Sequence, residues 1–167
     1  ARLEEKGAER ISAEQLPRMH ETCDALVLSP GIPIDHPTAV AFKRGGRAVV
    51  GETELAARYM RCPVVAVTGT NGKTTTVSML EKILSDGGLE AHACGNIGTP
   101  MIEYVQLAET AVAVAEISSF QLETLGSLCP HVGVVLNVTE DHLNRHYNMD
   151  NYIFLKRKKK KNSTEAE

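Results

Sequence analysis

The densest chemistry in this sequence is the run Val67-Thr-Gly-Thr-Asn-Gly-Lys-Thr-Thr75. An apolar segment leads into a short glycine-containing loop, and a helical pattern follows at once. A loop of that kind aims backbone N–H groups and the positive end of a helix at an anion. Gly69 and Gly72 let the backbone approach such an anion closely. Lys73 is expected to reach the β- and γ-phosphates of a nucleotide, and the Thr74 hydroxyl to ligand Mg²⁺. The spacing departs from the usual G-x-x-x-x-G-K-[ST] pattern, because Val67 stands where its first glycine belongs. The bland alternative is a glycine turn in which Thr74 simply caps a helix.

Three other places carry polar groups at the ends of apolar runs, where ligands bind in open α/β sheets. Ala111-Val-Ala-Val-Ala115 ends in Glu116-Ile-Ser-Ser119. A carboxylate at Glu116 suits Mg²⁺, which takes a few carboxylates together with phosphate oxygens. The competing role is an acid capping a helix, for which Ser118 or Ser119 is the better candidate. Val132 to Val138 leads into Thr139-Glu-Asp-His142, where His142 is a metal ligand, a substrate contact or a structural histidine. Asn96, in Cys94-Gly-Asn-Ile-Gly98, either reads a polar substrate or holds a turn.

The elements that must position these residues alternate. Residues 1–22 are polar, with helix formers around Glu4 and Glu14. Ala25-Leu-Val-Leu28 reads as a buried strand that stops at Ser29-Pro-Gly-Ile-Pro33. A helix over 37–44 closes at Gly45-Gly46, and a strand at 48–50 and a helix at 52–60 follow. Pro63 marks a boundary. Beyond it come a strand at 64–67, the glycine loop, and a helix over 74–85 with Met79, Leu80, Ile83 and Leu84 on one side. Then follow a strand at 89–94, a loop at 95–100, helix 101–108, strand 111–117, helix 119–128, strand 132–138, a polar loop over 139–148 and a helix from near Met149. Strands alternating with helices predict an α/β fold with a mostly parallel sheet.

Composition narrows the possibilities. The 167 residues amount to about one average domain, and 43% hydrophobic with 23% charged is ordinary for a globular chain. A net charge of -3 gives no electrostatic case for nucleic acid. No apolar run approaches the ~20 residues of a membrane helix, and no secretory leader is visible. The chain begins with Ala1 rather than Met and is expected to be a fragment. Cys23, Cys62, Cys94 and Cys129 are scattered, which argues for reduced cytosolic thiols over zinc or a disulfide framework.

Taken together, Thr68-Gly-Thr-Asn-Gly-Lys-Thr-Thr75 resembles the ATP loop of the Mur ligases and their folylpolyglutamate synthetase relatives, a loop that lacks the first P-loop glycine. Ser29-Pro-Gly-Ile-Pro33, Gly95-Asn-Ile-Gly-Thr-Pro100, Glu116-Ile-Ser-Ser-Phe-Gln-Leu-Glu123 and Asn137-Val-Thr-Glu-Asp-His-Leu-Asn-Arg-His146 look like the members that add D-glutamate to UDP-N-acetylmuramoyl-L-alanine. The resemblance covers nearly the whole chain. It implies that residues 1–62 are the end of a Rossmann-like UDP-substrate domain, and 63–167 the first part of a P-loop-type central ATPase domain.

The same resemblance implies roles. Gly69, Thr70, Asn71, Gly72, Lys73, Thr74 and Thr75 would bind ATP, and Thr74 and Glu116 would hold Mg²⁺. His142 would help hold a second Mg²⁺. Asn96, Ser118 and Gln121 would face the muramoyl-alanine substrate, and Ser29, Pro30 and Gly31 would lie near its uridine end. Lys156 matches a lysine that is carbamylated in the family and thereby becomes a metal ligand. Lys159 and Lys160 depart from the pattern, because the family usually has apolar residues there. The implied reaction is cytoplasmic peptidoglycan-precursor synthesis through an acyl phosphate, by a protein monomeric at full length. Lys73, His142 and Lys156 would be its catalytic residues in this segment, and the segment alone would be inactive. The rival readings are a folylpolyglutamate synthetase-like ligase and a nucleotide-binding module without catalysis.

Overall fold

The computed structural model describes residues 3–141, 145 and 147–157. Two separate parallel sheets account for its strands. The first pairs β1 (Ala25–Leu28) with β2 (Ala48–Gly51) in register from Ala25–Ala48 to Leu28–Gly51. The crossover between them is α1 (Pro37–Arg44). Its start is set by His36, whose Nδ1 accepts from the Thr38 N–H at 3.3 Å, and by Pro37 at the first helical position.

The second sheet has four strands in the order β4-β5-β3-β6: β3 (Val64–Thr68), β4 (Ala91–Gly95), β5 (Val112–Glu116) and β6 (Val132–Val135). Every pairing in it is parallel. The link between the sheets is α2 (Glu52–Tyr59), α3 (Lys73–Asp86) joins β3 to β4, and α4 (Ser119–Thr124) follows β5. The last described helix is α5 (Met149–Arg157). The connection from β3 runs past β5 to β4 and the one from β5 runs back past β3 to β6, so chains leave the adjacent carboxyl ends of β3 and β5 in opposite directions. That is the switch point where an open α/β sheet forms a crevice.

At β3 and β5 both faces of the second sheet are covered, which explains their continuous apolar runs, whereas the edge strand β6 leaves Val132 and Val135 about half exposed. Val64 and Ala66 of β3 and Ala113 and Ala115 of β5 pack with Ala56 of α2 and Leu122 of α4. Val67 and Val114 face the other way, onto Val77, Leu80 and Leu84 of α3. Val67, Val77 and Val114 are fully buried, and each contributes about 1.5–3 kcal/mol by leaving water.

Several expectations change. β1, expected to be buried, is exposed at Ala25 and Val27, and β6 stops at Val135 rather than Val138. The helical face of α3 is rotated: Val77, Leu80 and Leu84 meet the sheet, whereas Met79 and Ile83 are exposed. The helix expected over 101–108 is only a 3-10 turn at Met101–Tyr104. The helix expected to run to residue 128 ends at Thr124, because a distant carboxylate captures the next backbone groups. Glu54 of α2 accepts the N–H groups of Gly126 at 2.8 Å and Ser127 at 2.9 Å. Arg58 adds a bond to Glu54 at 3.0 Å. Burial pushes the Glu54 carboxyl up, but the Ser127, Gly126 and Arg58 hydrogen bonds together outweigh it and hold it below the ordinary value. Around Glu4 and Glu14 the chain forms 3-10 helices, Glu4–Lys6 and Leu16–Glu21. No helix among the described residues is long and apolar enough to cross a membrane.

Candidate nucleotide and metal site

The loop leaving β3 is anchored by Thr68, whose Oγ1 donates to the Ile117 carbonyl at 2.7 Å. At Gly72 the backbone takes φ 82°, a left-handed conformation that costs glycine little, and α3 starts on the next residue. The first N–H groups of α3 have no carbonyl partner within the helix and so form an anion-binding end. Lys73 curls back over its own loop, and its Nζ donates to the carbonyls of Gly69 at 2.9 Å and Thr70 at 2.8 Å.

Thr70 and Asn71 are engaged elsewhere. Their N–H groups both donate to Asn137 Oδ1, at 3.1 and 2.9 Å, and Asn137 Nδ2 returns a bond to the Asn71 carbonyl at 3.0 Å. The Thr70 hydroxyl donates to the Thr139 carbonyl at 3.1 Å and accepts from the Thr139 N–H at 3.0 Å. It also lies 3.1 Å from the Tyr152 hydroxyl of α5. The middle of the loop is therefore stapled to the segment beyond β6. Sequence reasoning assigned no role to Asn137 or Tyr152. An asparagine at the end of a strand was the only signal for the first.

Glu116 ends β5 and is 2% exposed. Its Oε2 accepts from the Thr74 hydroxyl at 2.8 Å and its Oε1 from Asn96 Nδ2 at 2.8 Å. Three residues singled out from separate stretches of sequence thus meet at one carboxylate. Neither bland alternative describes the structure: Thr74 makes no side-chain cap on α3, and Ser118 rather than Glu116 caps α4. Gly95 permits the approach of Asn96. Its φ is 97°, and a Cβ there would collide with the Glu116 carbonyl oxygen, to which the Asn96 N–H donates at 2.9 Å.

Gly69, Lys73, Asn96 and Ser118 line one open cleft with Ser119, Phe120, Asp141 and Tyr152. Ser118 and Gln121 form a capping box: Gln121 Oε1 accepts from the Ser118 N–H at 2.8 Å and hydroxyl at 3.0 Å. Gln121 lines a separate hollow with Ser29 and Pro30. Gly31 is exposed beside them. His142 lies outside the described residues, as do Lys159, Lys160 and the side chain of Lys156, whose backbone belongs to α5.

The donor set fits Mg²⁺. A buried carboxylate and a hydroxyl within hydrogen-bond distance of each other are hard oxygen ligands, and this ion needs few protein groups when phosphate oxygens complete its shell. Among the described residues no group of three or more His, Cys, Asp or Glu gathers to hold a metal ion.

Residues 67–165 match the model of the Mur ligase middle domain. The chain belongs to the Mur ligase family. Family members are ATP-dependent ligases. The chain is 44% identical over 145 residues to a UDP-N-acetylmuramoylalanine--D-glutamate ligase of Desulfatibacillum aliphaticivorans, covering 86% of this chain and 32% of that protein. A Geobacter metallireducens protein of the same name is 50% identical over 131 residues, covering 78% of this chain and 29% of its own length. The chain thus spans about three-tenths of the length of these relatives. A solved UDP-N-acetylmuramate:L-alanyl-gamma-D-glutamyl-meso-diaminopimelate ligase from Neisseria meningitides shares the fold. It has a TM-score of 0.61 at 19% identity over 95% of this chain and 55% of that one. Val67, which stands where the usual loop has its first glycine, is a buried residue of β3.

Proposed function

We propose that this chain is part of an ATP-dependent ligase that joins D-glutamate to UDP-N-acetylmuramoyl-L-alanine during peptidoglycan-precursor synthesis, acting in the cytoplasm as a monomer. Residues 1–62 would belong to its UDP-substrate domain and 63–167 to its ATP domain. The observation that carries the reading is the meeting of Lys73, Thr74, Asn96 and Glu116 at the carboxyl ends of β3, β4 and β5. The relatives' names supply the substrates.

In this reading the substrate carboxylate attacks the γ-phosphorus of ATP, giving an acyl phosphate and ADP. The amine of D-glutamate then displaces phosphate to form the amide. Lys73 releases its loop carbonyls and places its ammonium against the β- and γ-phosphates, while the start of α3 receives phosphate oxygens. Thr74 and Glu116 would hold Mg²⁺, which supplies positive charge to the triphosphate. Asn96 keeps the Glu116 carboxylate oriented and presents its remaining groups to the cleft. Most of the first step is positioning and charge neutralisation. Ser29, Pro30, Gly31, Ser118 and Gln121 would contact the UDP-linked substrate, and His142 and a carbamylated Lys156 would complete the metal site.

The test is Lys73→Ala in the full-length enzyme carrying this segment. Removal of one such charge contact is expected to lower turnover about 10²-fold or more. Glutamate-dependent ADP release at a near-normal rate in that variant overturns the reading. So does a full-length enzyme that ligates no D-glutamate.

A further inference from the structure

We propose that Arg145 is a positioning residue. Clamped by Glu123, it holds the turn after β1 against α4 and so sets where the UDP-linked substrate lies relative to the nucleotide cleft. The inference rests on the function proposed above and adds a residue to it.

The arrangement is specific. The Arg145 guanidinium forks onto Glu123 at the end of α4, with Nε to Oε1 at 2.9 Å and Nη2 to Oε2 at 2.7 Å. Both partners are largely withdrawn from water, with side chains 16% and 7% exposed. Burial favours the neutral form, but the Glu123 bond dominates and raises the Arg145 pKa, so the charge is kept. The same Nη2 also donates to the Ile32 carbonyl at 3.1 Å, in the turn that follows Ser29, Pro30 and Gly31. The guanidinium lies 4.9 Å from the centre of the Phe120 ring, and Phe120 lines both the cleft at Lys73 and the hollow at Ser29. One planar cation therefore touches the turn of the first sheet, the helix of the second and the aromatic ring between two hollows. Close by, the Tyr147 hydroxyl donates to Asp35 Oδ2 at 3.3 Å and tethers the same turn a second time.

An ion pair this far from water is weak evidence for stability alone, because desolvation offsets much of the attraction. Its use is directional. A bidentate fork fixes angle as well as distance, which a lysine at the same place does not reproduce. Neither Arg145 nor Glu123 lines the cleft at Lys73, whereas Glu123 lines the hollow with Ser29 and Pro30, so Arg145 acts there through Glu123 and through the turn it holds.

The experiment is steady-state kinetics on the full-length enzyme with Arg145→Lys, Arg145→Ala and Tyr147→Phe. For Arg145→Lys and Arg145→Ala, the KM for the UDP-linked substrate is expected to rise about tenfold or more, while the KM for ATP stays within about twofold. Tyr147 is exposed, so Tyr147→Phe leaves folding intact and is expected to raise the same KM about two- to threefold. An unchanged KM for that substrate in soluble Arg145→Lys overturns the inference, as does an equal rise in both KM values. If the arginine variants do not fold, an unchanged KM in Tyr147→Phe overturns it. A parent enzyme without D-glutamate ligation refutes the function instead and is recognised before any variant is compared.

Discussion

The hydroxyl of Thr74 and the carboxylate of Glu116 are 2.8 Å apart, although 42 residues separate them in the chain. Parallel pairing of β3 with β5 sets Val67 opposite Glu116, so the first turn of α3 starts directly above the carboxylate. The bond occupies one oxygen of a buried acid and one hydroxyl, the pair that would turn to a shared cation.

Thr74→Val preserves the shape and deletes the hydroxyl. A buried carboxylate oxygen then loses its partner, at a cost of about 1–3 kcal/mol. In the full-length enzyme the Mg²⁺ concentration for half-maximal ADP release is expected to rise several-fold for Thr74→Val and to stay near the parent value for Thr74→Ser. A Mg²⁺ titration of both variants checks this, and equal curves contradict it.

Gly95→Ala places a methyl group against the Glu116 carbonyl at a left-handed backbone position. The three nearest atoms are all Glu116 backbone and cannot step aside cheaply. The expected loss is about 1–3 kcal/mol, seen as a lower midpoint in thermal or urea unfolding followed by circular dichroism. A midpoint equal to the parent's contradicts the close approach.

Glu54 gives the chain a pH-dependent joint. Its folded pKa lies below the ordinary value. Its contribution is therefore present above the unfolded-state pKa and is lost as pH falls through the folded one. Glu54→Gln is expected to cost about 1–3 kcal/mol near neutral pH, with the gap to the parent narrowing as the solution is acidified from the carboxylate range downward. Urea unfolding at neutral and acidic pH measures both; a gap that widens in acid contradicts the assignment.

The cysteines separate by burial. Burial pushes the Cys94 thiol up to about 12 and raises that of Cys62 too, and both are buried, whereas Cys129 is exposed. Only thiolate reacts. A thiol reagent at neutral pH is expected to label Cys129 promptly, and to label Cys62 and Cys94 only once denaturant is added. Mass spectrometry of the labelled chain decides.

Much of this was legible in the sequence because it is local. Val64 to Val67 and Ala111 to Ala115 could only be buried strands, and the glycine loop between strand and helix announced an anion site. What escaped was set by partners far along the chain. Nothing near Thr124 says that its helix stops there, because the carboxylate responsible belongs to Glu54. Likewise nothing near Thr70 and Asn71 says that Asn137, more than 60 residues on, takes their N–H groups. The misplaced face of α3 has a different origin. Met79 and Ile83 are apolar and one turn apart, and periodicity gives equal weight to any such stripe. The sheet selects Val77, Leu80 and Leu84 because their side of the helix is the one that Lys73 and Gly72 leave facing Val67 and Val114.

The curled posture of Lys73 has a consequence for selectivity. With its ammonium latched on two carbonyls, the resting loop shows a visiting anion little of its cation. A small monoanion at the helix start would leave those two bonds in place. In the proposed reading, a polyphosphate long enough to touch the helix start and the ammonium together would replace them, so chain length as well as charge would govern entry.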